Sequence, residues 1–354
     1  MNNFKYIKSF FVFCLSPFLL VGCNSNSENE PVLSETPSEA REFLMGTYIV
    51  LRVYDEGKEE VLDLAIQRIE ELDEKLSSND SNSEIDAINQ AAGKYAVEVS
   101  EEVYSLIKTS AEFSSIPNSG FDYTVGTVTD LWRIGFDDAR VPSDAEIQSV
   151  LPLVDHEKVE LNDEERTVYL LEEGMRIDLG AIAKGYIADE VVVVFEEHDV
   201  TTAIIDLGGN VVVMGNSPTR DTGGFNVGVQ DPFSSRGEII GSINLKDKTV
   251  VTSGIYERYI EDGDKKYHHL MNPQTGYPFE NNLAGVTIIT DKSVDGDAYS
   301  TVVFGFGLEE GLEFVNQQDG VEGVFVSVDK EIFTSDGLTD KFNLTDESYD
   351  WINK

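Results

Sequence analysis

The sequence predicts an α+β fold, a single body of mixed, largely antiparallel sheets with packed helices. Strand-length apolar runs follow one another through short turns in the second half of the chain, as antiparallel pairing allows. Stretches with helical spacing of apolar residues lie among them. No repeat of solenoid length and no linker after Pro37 divides the chain, so one body is the economical reading. The length of 354 residues permits one large or two ordinary domains, and the 41% apolar content supplies a core for either.

The chain opens on a segment unlike the rest. Lys5 and Lys8 flank the start of an apolar run, Ser9 to Val21, that contains no acidic residue. The run is shorter than the roughly 20 residues a membrane-spanning helix needs. It stops at Leu20-Val21-Gly22-Cys23, which resembles a bacterial lipobox. In such signals the chain is cut before the Cys, and the new terminus carries lipid. Residues 1–22 are therefore expected to be a lipoprotein signal peptide, and 23–42 a lipidated Cys23 with a flexible tether containing Pro31 and Pro37. The expected location is exported, anchored to the outer face of the bacterial cytoplasmic membrane. Cys14 and Cys23 are the two cysteines, so the mature chain would keep only the anchor, with no intramolecular disulfide and no thiolate metal site.

The body is expected from 43 to 354. It begins with alternation, Tyr48, Val50 and Arg52 against Ile49, Leu51 and Val53, which reads as a strand. Val61 to Leu76 places Leu62, Ala65, Ile69 and Leu72 at helical spacing, and a second helix fits Glu101 to Phe113. Phe121 to Phe136 is rich in aromatics and Gly. Ala145 to Leu151 reads as a short helix after Pro142 and Ser143, and Val159 to Ile177 as a hairpin broken at Asn162-Asp163 and Glu173-Gly174. Met175 to Leu179 reads as a strand running into Gly180, with a helix from Ala181 to His198. Strands are expected over Thr202–Leu207, Val211–Met214, Phe225–Val229, Glu238–Leu245, Lys248–Thr252, Tyr256–Glu261 and Ala284–Thr290. Helices at Asp295–Phe306 and Leu308–Asn316 precede a closing strand at Gly323–Val328.

Charge limits what such a body binds. With 26 Lys+Arg against 66 Asp+Glu the formal charge is −40, and no basic patch is visible along the sequence. Phosphate backbones are repelled at long range by such a field, so nucleic acid is excluded as a general partner.

Four segments carry candidate chemistry. In Asp178-Leu179-Gly180-Ala181-Ile182-Ala183-Lys184-Gly185-Tyr186 a strand turns at Gly180 into a helix. The first helical N–H groups and Lys184 would suit a pyrophosphate, although a plain strand-to-helix junction reads the same way. In Ser293-Val294-Asp295-Gly296-Asp297-Ala298-Tyr299-Ser300-Thr301, a helix would put Asp297 and Thr301 on one face. A carboxylate and a hydroxyl there suit a hard cation such as Mg²⁺, while helix capping is the alternative. Tyr267-His268-His269-Leu270-Met271-Asn272-Pro273 sets two histidines before a turn, near Thr252-Ser253-Gly254-Ile255-Tyr256-Glu257-Arg258. One imidazole there is either a general acid or base or a structural group. Met45-Gly46-Thr47 and Gly120-Phe121-Asp122-Tyr123-Thr124-Val125-Gly126 offer soft, flat surfaces that suit a planar heterocycle or a core.

The order of these pieces resembles one family. Met-Gly-Thr, Phe-Asp-x-Thr-Val-Gly before Leu-Trp, Asp-Leu-Gly-x-Ile-Ala-Lys-Gly-Tyr, Asp-Leu-Gly-Gly-Asn, Thr-Ser-Gly-x-Tyr-x-Arg, His-x-x-Asn-Pro-x-Thr-Gly and Asp-x-x-Ser-Thr together resemble the ApbE-type FAD:protein FMN transferases from about Phe43 to Gly307. The resemblance implies an ApbE-like, T-fold-like body and a Mg²⁺-dependent enzyme. Such an enzyme cleaves the pyrophosphate of FAD, attaches FMN through a phosphoester to a Ser or Thr of a target flavoprotein subunit, and releases AMP.

Carried over, Met45, Gly120, Phe121, Asp122, Asp178, Lys184 and Met271 would contact FAD. Asp297, Thr301 and the carbonyl of Ala181 would ligate Mg²⁺, with Ser300 adding a hydroxyl. His269 and Asp297 would serve catalysis. Asn272 stands where the family often has Asp, and Asn79 where an aromatic is common. An FAD-binding lipoprotein without transfer activity and an FAD pyrophosphatase giving FMN and AMP are the alternatives.

Overall fold

A computed structural model describes residues 31–354 except Thr222, and the signal peptide and Cys23 lie outside these. The body opens with β1 (Leu33–Leu44) and β2 (Thr47–Asp55), an antiparallel hairpin. Its two-residue turn is Met45-Gly46, with φ of 53° and 66°. Both values are left-handed, the geometry that matches the twist of paired strands. The tether expected over 23–42 is corrected here, because residues from Leu33 onward form an edge strand. The polar run Ser34 to Glu42 disguises it, and Pro37 sits where the register shifts between Leu33 and Ser38.

Helices follow: α1 (Glu60–Leu76), α2 (Glu84–Ala91), then, after β3 (Val97–Glu98), α3 (Glu101–Ser114), α4 (Gly126–Trp132) and α5 (Asp144–Val150). The hairpin of β4 (Val159–Asn162) and β5 (Thr167–Leu170) forms a small sheet with β3. The strand expected at Met175–Leu179 does not form as a ladder. Instead the side chain of Asn89 in α2 satisfies both backbone groups of Ile177, donating to its O at 3.0 Å and accepting from its N at 2.7 Å. That segment runs directly into α6 (Ala183–Glu197).

The second half supplies β6 (Ala203–Leu207), β7 (Asn210–Met214), β8 (Phe225–Gln230), β9 (Ile239–Leu245), β10 (Lys248–Gly254), β11 (Tyr259–Asp262), β12 (Lys265–His268) and β13 (Leu283–Thr290). After α7 (Ser293–Asn316) come β14 (Glu322–Ser327), β15 (Glu331–Thr334), β16 (Phe342–Leu344) and β17 (Asp350–Trp351). The expected closing strand at Gly323–Val328 is thus followed by three more. The main sheet has nine strands in the order β1-β2-β6-β7-β10-β13-β14-β15-β17. Every pair in it is antiparallel except β15 with β17, so the α+β expectation holds.

Burial explains the layering. Ile49, Leu51 and Val53 of β2, Ile205 of β6, Ile69 and Leu72 of α1, Val191 of α6 and Val302 of α7 share the largest core, so α1, α6 and α7 cover one face. A second core joins Ile288, Phe304 and Phe325 across β13, α7 and β14. At Gly307, φ 78° and ψ −172° break α7 into two helical runs, as the sequence pattern at Phe306 and Leu308 implies.

The decisive contact for the site is where α6 and α7 start. A Cβ on Gly185 would lie 2.2 Å from Ser293 O and 2.8 Å from Asp297 Cβ, so only glycine lets the two helix beginnings meet. Asp189, one turn further along α6, accepts from Ser293 N at 2.8 Å and Val294 N at 2.9 Å and so closes the start of α7.

Candidate active site

The sheet edge, the α6 and α7 starts and the β10–β13 connections enclose a cleft of about 1710 Å³. Met45, Gly120, Phe121, Asp122, Asp178, Ala181, Lys184, His269, Met271, Asp297 and Thr301 all line it, although they come from across the chain.

Asp297 is almost fully buried, and both of its oxygens are engaged. Oδ1 accepts from Lys184 Nζ at 3.1 Å and Oδ2 from Gly185 N at 2.9 Å. Gly185 N–H would ordinarily bond the carbonyl four residues back, Ala181 O, and its diversion leaves that carbonyl without a hydrogen bond among the described residues. Thr301, one turn after Asp297, also reaches the cleft with no hydrogen bond to its hydroxyl among the described residues. One carboxylate, one carbonyl and one hydroxyl around a buried corner form a hard-oxygen donor set, which suits Mg²⁺. Lys184 Nζ also donates to Asn210 Oδ1 at 3.2 Å, so its charge is held at this corner.

Ser300 is a correction to the expected ligand set. It is fully buried and does not line the cleft. Its hydroxyl donates to Asp297 O at 2.7 Å and meets Ser253 Oγ at 2.8 Å, tying α7 to β10. Helical spacing alone puts Ser300 beside Asp297 without saying which side faces inward.

The histidine pair separates into two roles. His268 is buried, with Nε2 against Phe279 O at 3.0 Å and Nδ1 accepting from Leu270 N at 3.3 Å, and burial lowers its pKa. It is the structural imidazole. His269 faces the cleft with Nδ1 against Arg258 O at 3.3 Å. A carbonyl can only accept, so Nδ1 carries the proton and Nε2 presents its lone pair to the cleft. Protein walls surround the half-exposed ring. This desolvation, helped by Arg258, pushes its pKa down to about 3.

The model of the ApbE family matches residues 45–325.

The chain belongs to the ApbE family.

An FAD:protein FMN transferase of Klebsiella pneumoniae (strain 342) is 37% identical over 310 residues, covering 88% of this chain and 95% of that one. One of Treponema pallidum (strain Nichols) is 31% identical over 323 residues, covering 87% and 89%. The solved ApbE protein of Thermotoga maritima superposes with a TM-score of 0.79 at 31% identity, covering 86% of this chain and 99% of that one. The Pseudomonas stutzeri flavinyl transferase ApbE, at 22% identity and TM-score 0.75, shares the fold.

Within this ApbE body the remaining motif residues are tied down by identifiable bonds. Asp178 accepts from Gly180 N at 2.9 Å and Thr129 Oγ1 at 2.8 Å, shaping the turn into α6. Asp122 accepts from Thr124 N and Thr124 Oγ1 and lies 3.1 Å from His156 Nδ1, so its carboxylate is largely spent on its own loop. Gly120 answers packing: a Cβ there would lie 2.6 Å from Gly305 Cα and 2.5 Å from Phe279 Cζ. Met45 is positioned by its turn and by its N donating to Asp73 Oδ2 at 3.2 Å. Met271 packs with Trp132 and Ile147, and Trp132 Nε1 donates to Gly276 O at 2.8 Å.

The two departures are accommodated. Asn272 Oδ1 accepts from Gln274 N and Thr275 N, bonds that an uncharged amide oxygen makes as well as a carboxylate. Asn79 Oδ1 accepts from Arg133 Nη1 at 3.1 Å at the cleft wall. Sequence reasoning missed Arg236 and Glu257 as cleft residues. Neither sits in a motif position with a fixed chemical type, and they reach the same cleft only because separate loops converge.

Proposed function

We propose that this protein is a Mg²⁺-dependent FAD:protein FMN transferase acting on a Ser or Thr hydroxyl of a target flavoprotein subunit and releasing AMP. The observation that carries it is the corner of Asp297, Ala181 O, Thr301 and Lys184, which shares one cleft with the bare Nε2 of His269. Family membership and the relatives' names support the same reading.

Asp297, Thr301 and Ala181 O would hold Mg²⁺, whose charge would neutralise the pyrophosphate and favour displacement at phosphorus. Lys184 and the start of α6 add positive potential for the same phosphates. His269 Nε2 takes the proton from the acceptor hydroxyl. The hydroxyl oxygen forms a bond to the phosphorus of the FMN half, the bond from that phosphorus to the bridging oxygen breaks, and AMP leaves with the electron pair. Desolvation holds its pKa low, so the imidazole is neutral with Nε2 unprotonated across the physiological range, and the anionic phosphates bound beside it would raise its basicity for the proton transfer. Lys184 and Gly185 N hold Asp297 in place, and Asp178 fixes the turn that presents the helix start.

The same proposal covers the chain's first residues: 1–22 as signal peptide, lipid on Cys23, and an exported, membrane-anchored enzyme. Its support is the Leu20-Val21-Gly22-Cys23 sequence after a charged and then apolar run.

The test incubates purified protein with FAD, Mg²⁺ and Thr-containing peptides, reading AMP by chromatography and FMN-peptide by mass. Expected are AMP and peptidyl-FMN in equal amounts. FMN with AMP but no modified peptide would mean a pyrophosphatase, and intact FAD a binding protein. Asp297→Ala is expected to lose turnover by about 10³-fold, comparable to losing one main electrostatic contact to the reacting group, with FAD binding partly kept.

A further inference from the structure

Arg236 and Glu257 face one point of the cleft without touching each other. Between them lies Gly209, in the turn joining β6 to β7, with φ 111°. A Cβ built there would lie 3.6 Å from Arg236 Nη2 and 3.7 Å from Glu257 Oε1. Among the described residues neither side chain has a hydrogen bond or an ion pair, so the two are more than 4.0 Å apart.

The backbones that carry the two exposed side chains are held on both sides of the gap. Gln230 Nε2 donates to Asp231 O at 2.8 Å and to Ser235 O at 3.1 Å, and Gly237 N donates to Gln230 Oε1 at 2.8 Å. The Asp231 carboxylate accepts from Phe233 N and Ser234 Oγ, both at 2.8 Å, and from Tyr349 OH. That network fixes the loop carrying Arg236. On the other side, Ile255 N donates to Ala284 O at 3.1 Å. The Tyr256 ring lies so close over Gly254 that a Cβ there would be 2.3 Å away, which pins the turn carrying Glu257.

The gap is thus a built donor-and-acceptor slot with a side-chain-free floor. A phosphate would meet the Glu257 carboxylate, and a cation would meet the Arg236 guanidinium, so a net charge of either sign is disfavoured. A neutral planar amide satisfies both, its C=O accepting from Arg236 and its N–H donating to Glu257. The slot shares the cleft with Lys184 and Asp297, whose charges act on Glu257, so the amide would lie near the reacting phosphates. Desolvation by the surrounding cleft walls raises the Glu257 pKa, although the residue keeps an exposed surface. The cleft, at about 1710 Å³, also exceeds the roughly 300–1,000 Å³ usual for one small-molecule ligand and has room for a second substrate.

We propose that Arg236 and Glu257 clamp a backbone amide of the acceptor polypeptide across Gly209 and thereby hold that chain in the cleft beside the FMN phosphorus. This rests on the transferase reading, and it makes both side chains positioning residues for the protein substrate.

The test uses a pool of N-acetylated, C-amidated heptapeptides with a central Thr, fluorescein-labelled. Anisotropy gives peptide affinity with FAD bound and Mg²⁺ withheld, flavin fluorescence gives FAD affinity, and turnover with Mg²⁺ gives kcat and KM. Arg236→Ala and Glu257→Ala are each expected to weaken peptide affinity and raise peptide KM about tenfold, with kcat and FAD affinity within about twofold. The double variant should be close to either single one, because both groups hold one amide. Glu257→Gln, which keeps an acceptor oxygen, should restore most of the affinity.

Unchanged peptide affinity in the variants, or no peptide binding by the native protein, overturns the clamp. A matching loss of FAD affinity also overturns it, since the slot would then hold the imide edge of the flavin. Peptide that binds, responds to the variants and is never flavinylated leaves the clamp standing and defeats the transferase reading.

Discussion

His268 and His269 are neighbours in the chain and differ in what their ring nitrogens face. Both nitrogens of His268 are used within its own loop, whereas His269 spends one nitrogen on Arg258 O and keeps the other for the cleft. Asp189 shows the same dependence on surroundings. Its buried carboxylate caps α7 through Ser293 N and Val294 N, and burial pushes its pKa up to about 6. Because the folded value is raised above the unfolded one, near 3.9, the native state binds the extra proton between roughly pH 4 and 6. Its contribution to stability is therefore full below about pH 4 and is lost as pH rises through 6. Asp189→Asn should remove a fall on the order of 2 kcal/mol between pH 4 and pH 7, read as the difference between the two proteins in urea unfolding at each pH. Parallel stability curves for the two proteins would refute this. At this scale the sequence was informative wherever chemistry needs a fixed residue type, as at Asp297, Lys184 and His269. It was silent at Asp189, whose partners start a helix about a hundred residues later.

The start of α6 against the start of α7 is the element on which the metal corner depends. Gly185→Ala would place a methyl 2.2 Å from Ser293 O, so the helices must separate. The expected cost is about 1–3 kcal/mol of stability, together with a larger fractional loss of turnover than of FAD binding, because Asp297 moves relative to Ala181. Thermal melting and AMP release measure the two, and native turnover in this variant would show that the contact is not needed. Helices α1 and α3 were legible because their buried faces repeat at helical spacing. The β4–β5 hairpin was legible from its turn residues. β1 was not, because an edge strand needs no apolar face. Met175–Leu179 misled for the opposite reason: its apolar residues are buried, but its backbone at Ile177 bonds the side chain of Asn89. Arg236 was invisible, and Glu257 stood in the segment 252–258 with no role of its own, because their approach depends on how the loops after β8 and β10 converge.

Over the whole molecule, a formal charge of −40 opposes the approach of an anionic dinucleotide. Five basic side chains line the cleft against seven acidic ones, so cations such as Lys184 and Arg258 offset the field there only in part. The association rate of FAD should therefore rise several-fold as ionic strength goes from about 0.01 to 0.15 M, where the screening length shrinks from about 30 to 8 Å. Stopped-flow flavin fluorescence measures it, and a rate that falls with salt would mean the cleft cations outweigh the body.

The pairing of β2 with β6 joins Val53 to Ala203. That closes a loop of roughly 150 residues before the first hairpin acquires its second neighbour, and such long closures slow folding. During synthesis, the strand pair bearing Met45 must wait with one edge open until the chain has grown past Leu207. The cleft can therefore assemble only late, after most of the polypeptide is available, and an unfinished chain would expose β2 to wrong partners for that whole interval.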